Sequence, residues 1–74
     1  MTAIQLGEAL HAMYHDAEKG EKVTMIHLFG IKYFKEIRES GASPKAIAEA
    51  ANIPSSFGTE ISKGVRLARH VKLV

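Results

Sequence analysis

The chain has 74 residues, with ten Lys and Arg against eight Asp and Glu, four His and no cysteine. A chain this short is one domain that buries about 60 to 65% of its unfolded surface, which leaves room for a core but none for a large substrate pocket. The lack of cysteine excludes a disulfide framework and a thiolate metal site, as suits a reducing compartment.

The first element follows the capping box Thr2-Ala3-Ile4-Gln5, in which a hydroxyl and an amide side chain satisfy each other's backbone N–H groups. Leu6, Leu10, Met13 and Ala17 then share one face, and Gly20 marks the stop. The opening MTAIQLGEAL lacks the basic start and apolar run of a signal peptide, and no stretch reaches the roughly 18 apolar residues of a membrane span. The expectation is a soluble, cytoplasmic protein with no membrane partner. Glu8, His11 and His15 also share a face of this helix at ligand-like spacing. The residues between the histidines are Ala-Met-Tyr, however, without the catalytic Glu of HExxH, and no further ligand cluster follows. No metal and no cofactor is expected, and the three residues read as a polar outer face.

A second helix is predicted from a Thr24 cap to the Ser40-Gly41 break, with Ile26, Phe29, Tyr33, Phe34 and Ile37 as a broad apolar stripe. Met25, Leu28 and Ile31 add apolar surface beyond the stripe, which makes this the central helix, touched on more than one side. VTMIHLFGIKYF also has the composition of a buried strand, but its length and its flanking periodicity favour the helix. His27 is a first-turn residue of this element.

The third helix starts at Ser43, a good N-cap, with Pro44 at the first helical position, where no donor is needed. Ile47, Ala50 and Ala51 carry its apolar side until Asn52-Ile53-Pro54. Asn tolerates the left-handed conformation that ends a helix, and Pro54 denies Ile53 the helical region. The connection is therefore about three or four residues long. Ser55 and Ser56 are candidate caps for a fourth helix over residues 55–70, on which Phe57, Ile61, Gly64, Val65, Ala68 and Val71 form the buried side. Ser55, Thr59, Ser62, Lys63, Arg66 and His70 lie opposite, with Arg69 on the shoulder, and no acid follows Glu60. Gly64 reads as a close-packing position against the central helix, near Phe29 or Tyr33. Gly58 reads as an approach point for the preceding helix or for DNA. The fold class is all-α: a compact bundle of four helices in a single domain, 1–74.

Ala48, Asn52, Ile53 and Ile61 match the small residue, turn and apolar anchors of a helix-turn-helix, and residues 44–65 resemble that DNA-binding module. The chain departs from the usual pattern at Asn52, where Gly is commonest, at Pro54, where a Ser or Thr cap is usual, and at Gly58, where an apolar anchor is usual. The resemblance implies double-stranded DNA as partner, with helix 55–70 in the major groove. It also implies a two-fold dimer whose surface is either the first helix or the apolar tail Val71, Leu73 and Val74. Ser55, Ser56, Thr59, Ser62, Lys63, Arg66, Arg69 and His70 are the candidate DNA-binding residues. Short hydroxyls at the helix start meet phosphates or base edges, Lys63 and Arg66 reach guanine or phosphate, and Arg69, His70 and Lys72 reach the backbone.

Charge is unevenly spread in the same direction: residues 1–22 hold four acids and two bases, and residues 61–74 hold four bases and no acid. The positive field sits where phosphates would be met, although cations near a helix C-terminus also stabilise its dipole. With no phosphate loop, GxSxG elbow or cysteine nucleophile, the chain is not expected to be an enzyme or to bind a small-molecule substrate. A small transcriptional regulator or accessory DNA-binding factor is the leading expectation. A helical protein-protein interaction module is the alternative, and a metal-sensing regulator using Glu8, His11 and His15 is a third class.

Overall fold

The capping box forms as written: the Gln5 amide donates to Thr2 Oγ1 at 3.1 Å and the Thr2 amide to Gln5 Oε1 at 2.9 Å, opening helix α1, Ala3–His15. The computed structural model describes all 74 residues, and after α1 come α2 (Lys22–Lys32), α3 (Phe34–Ser40), α4 (Pro44–Ala50), a 3-10 turn (Ser55–Phe57) and α5 (Gly58–Leu67), with no strand. Helix α1 stops at His15, short of Gly20, so Ala17 lies beyond it. The Lys22 ammonium closes this end by donating to the Tyr14 carbonyl at 3.0 Å while sitting over the Tyr14 ring.

The four-helix expectation is corrected at the centre of the chain. The predicted second helix is two helices, and it begins at Lys22, so that Thr24 lies inside α2 and caps nothing. The break falls at Tyr33, whose φ of −110° and ψ of 19° leave the helical region. No Pro or Gly stands there. The turn keeps the Tyr33 ring against Phe29, 5.3 Å between centroids, and returns α3 to the core, where Ile37 is buried beside α1 and α2.

Ten residues make the core: Leu6 and Leu10 from α1, Ile26 and Phe29 from α2, Ile37 from α3, Ile47 and Ala48 from α4, Ala51 and Ile53 from the turn, and Ile61 from α5. Each large aliphatic or aromatic side chain in such a core is worth about 1.5–3 kcal/mol relative to exposure. No polar or charged residue is buried among them. As the sequence suggested, α2 is central, packed on α1, α3 and α5.

The tight connection after α4 is built as its residues dictate. Ser43 Oγ accepts from the Ala46 amide at 3.1 Å with Pro44 in the first turn, and α4 ends with Asn52 in the left-handed region at φ 62°. The Asn52 amide donates to the Glu49 carbonyl and the Ile53 amide to the Ala48 carbonyl, at 3.0 and 3.2 Å. This is a Schellman closure, completed by the apolar contact of buried Ile53 with the end of the helix. Asn52 thus takes the part that Gly plays at this position elsewhere, and Pro54 turns the chain into the next element.

Candidate nucleic-acid interface

Helix α5 is placed on the core by three residues on one stripe, Gly58, Ile61 and Gly64, all buried. A Cβ on Gly64 would run into the His27 carbonyl and lie 3.0 Å from the Gly30 Cα. A Cβ on Gly30 would lie 2.8 Å from the Gly64 backbone. Two helices therefore cross glycine on glycine, at a separation that side chains would forbid. The expected close packing of Gly64 is real, but its partners are the Gly30 and His27 backbone instead of the Phe29 or Tyr33 rings. At Gly58 a Cβ would come within 3.0 Å of the Lys45 nitrogen and 3.2 Å of Pro44. Gly58 lets the start of α5 come close to the preceding helix.

A polar link fixes the rotation of α5. His27 Nε2–H, on α2, donates to Glu60 Oε1 at 2.7 Å, and Lys63 Nζ donates to Glu60 Oε2 at 3.3 Å. The hydrogen bond from His27, with help from Lys63, holds the Glu60 carboxyl below its ordinary value. Both Glu60 oxygens are engaged within the protein, and the acid ties α2 to α5. His11 makes a second tie, its Nδ1–H donating to the Ala51 carbonyl at 2.8 Å, which pins the α4–α5 connection to α1. The His15 ring lies 4.0 Å from that of His11, tilted by 43°, and no three His, Asp or Glu side chains gather to hold a metal.

The candidate residues divide into two groups. Ser55 and Ser56 lie in the 3-10 turn and cap nothing by their side chains, contrary to expectation, because that turn precedes α5, which begins only at Gly58. Ser55 and Ser62 are half-buried, Ser56 and Thr59 exposed. The Thr59 hydroxyl donates to the Ser56 carbonyl at 3.1 Å. Lys63 and Arg66 project from α5, while Arg69 and His70 follow it, because the helix ends at Leu67 and not at His70. Lys63, Arg66, Arg69 and His70 come together with His27 and Leu67 around an open concavity of about 420 Å³. The hydroxyl group of residues is no part of it.

The sequence profile of the HTH-like domain matches residues 2–74. The chain belongs to this HTH-like family. The match covers both the helical pair of α4 and α5 and the three helices before it, so the helix-turn-helix resemblance of residues 44–65 is one part of a domain-wide likeness. The HTH-like assignment suggests a DNA-binding role at the level of the family. No curated protein and no solved structure matches the chain. No helix of the structure is long and apolar enough to cross a membrane.

His27 and Leu67 are the members of the concavity that the sequence did not mark as functional; His27, expected in the first turn of its helix, lies in the second because α2 begins at Lys22. His27 stands 33 positions from its partner Glu60, and no local pattern joins them. Leu67 is apolar yet 41% exposed at the end of α5, where periodicity alone places it between faces.

Proposed function

We propose that this protein is a cytoplasmic DNA-binding factor, a small transcriptional regulator or accessory protein, that presents residues 55–70 to the major groove. DNA occupancy is the mechanism, with no chemistry and no cofactor. The observation that carries the reading is the seating of α5: its glycine stripe is locked on α2 and α4, while Thr59, Lys63 and Arg66 face solvent and Arg69 and His70 follow them. A rigid rod with a hydroxyl start and a basic end suits a groove about 12 Å wide flanked by phosphates. Arg66 and Arg69 make no ion pair within the protein and remain available to phosphates.

A domain this small needs two half-sites to reach a useful affinity, and a two-fold dimer would supply them. Val71, Leu73 and Val74, all exposed beyond α5, are the apolar residues offered for that contact. The test is fluorescence anisotropy of a labelled mixed-sequence duplex at about 50 and 200 mM salt. Binding that weakens steeply with salt is expected. Absence of binding at both salt levels would transfer the reading to a helical module in which the same helix packs on a protein partner.

A further inference from the structure

We infer that the concavity between α2 and the turn after α5 is a phosphate-binding site, taking a phosphodiester of the DNA backbone with its sugar against Leu67; this rests on the DNA-binding reading above. Its lining holds the cations of Lys63, Arg66 and Arg69, the imidazoles of His27 and His70, and one apolar side chain, Leu67. No acid lines it. Glu60, the acid bonded to two of its residues, is occupied by His27 and Lys63.

The end of a helix is ordinarily a poor place for an anion, because its free carbonyls carry partial negative charge. Here three of the last four, those of Gly64, Arg66 and Leu67, are covered. The Ala68 amide donates to the Gly64 carbonyl at 3.1 Å and the Arg69 amide to Arg66 at 3.1 Å, and the His70 and Val71 amides both donate to Leu67, at 2.9 and 3.0 Å. The turn that ends α5 short of His70 thus masks these carbonyls and, in the same few residues, folds Arg69 and His70 back towards Lys63 and Arg66.

The donor set selects the ligand class. Two guanidinium forks, the Lys63 hydrogens not given to Glu60 and the His70 imidazole offer several donors around one opening, well suited to the oxygens of a phosphate, while His27, whose Nε2–H is held by Glu60, forms part of the wall and reports on occupancy. The concavity is wide and open, and Leu67 gives one side of it an apolar surface, so a phosphate with an attached sugar fills it better than a bare ion. His27 reaches it only because α2 and α5 cross at Gly30 and Gly64, so the site belongs to the helix crossing and not to α5 alone.

The test follows the imidazole signals of His27 and His70 by NMR in the full chain, titrated with a duplex of about 16 base pairs and separately with inorganic phosphate. Anisotropy of wild type and Arg69→Ala is measured alongside. Arg69 is exposed and outside every helix, so the variant should keep its melting temperature. The expected result is that the duplex shifts both imidazoles and that Arg69→Ala makes the salt slope shallower by about one unit, a loss of affinity from 50 to 200 mM salt about fourfold smaller than in wild type. Duplex binding with unmoved imidazoles, or with an Arg69→Ala slope equal to wild type, overturns this site and leaves DNA binding standing. Imidazoles that respond to inorganic phosphate without any duplex binding retain the phosphate site and remove the DNA reading, assigning the pocket to a free phosphate group. No response to either probe removes both.

Discussion

Gly64 shows how one missing methyl can decide the sign of a substitution. In an exposed helix interior, Ala in place of Gly gains about 1 kcal/mol. At Gly64 the added Cβ would meet the His27 carbonyl and the Gly30 Cα, atoms of a helix backbone that cannot rotate aside. Overpacking of this kind costs typically about 1–3 kcal/mol and more where backbone must move, so Gly64→Ala is expected to lower stability despite its better propensity. Thermal unfolding should show a melting temperature lower by at least about 4 °C, and an unchanged or raised value would mean that α2 and α5 are not in such close contact. Glu60 provides a second test at this scale. Its carboxyl is held below the ordinary 4.5 by the His27 hydrogen bond first and by Lys63. A group with a lowered folded-state pKa contributes stability above its unfolded value and loses it as pH falls through the folded one. Wild type should therefore exceed Glu60→Gln in urea stability by a constant margin from about pH 7 to about pH 5. The margin should close as pH drops below 4.5, and one that stayed constant at lower pH would show that charge on Glu60 is not what stabilises.

At the scale of elements, the signals that the chain shows are those acting over three or four residues. The Thr2–Gln5 box, the Ser43 cap with Pro44, and Asn52 at the end of α4 all form hydrogen bonds or dihedrals that their residue types favour by themselves. The break at Tyr33 has no such signal, because it answers to Ile37 returning to the core and not to a local breaker. The late start of α5 is equally hidden. Ser55 and Ser56 are good caps in isolation, yet the chain passes them in a 3-10 turn before Gly58 settles against Lys45 and Pro44. That seat separates the two uses that the sequence left open for Gly58. Gly58→Leu should lose folding stability and DNA affinity in parallel, because the side chain would force α4 and α5 apart. Urea unfolding and duplex anisotropy on the same variant check it. Lost binding with intact stability would return Gly58 to the DNA surface.

At the scale of the molecule, the charge asymmetry of the chain becomes an asymmetry along α5. Thr59 and Arg66 are seven residues apart, about 10.5 Å and nearly two full turns, so both lie on one outward stripe but at opposite ends. Thr59 keeps its hydroxyl hydrogen on the Ser56 carbonyl, leaving its methyl for a thymine methyl and its lone pairs for a base amino group. Arg66 is exposed, unpaired and beside the concavity that Lys63, Arg69, His70 and His27 share. If the hydroxyl end meets bases and the basic end meets phosphates, the two truncations must fail differently. Arg66→Ala should weaken binding to every duplex alike and flatten the salt slope by about 0.9 for each phosphate that the side chain no longer neutralises. Thr59→Ala should leave that slope alone and re-rank duplexes differing at one position, by up to about 1–3 kcal/mol at that base pair. Anisotropy over a small panel of duplexes at two salt concentrations measures both quantities in one experiment. A sequence-dependent loss for Arg66→Ala together with a uniform one for Thr59→Ala would reverse the polarity of α5 on DNA, placing its basic end in the groove and its hydroxyl end on the backbone.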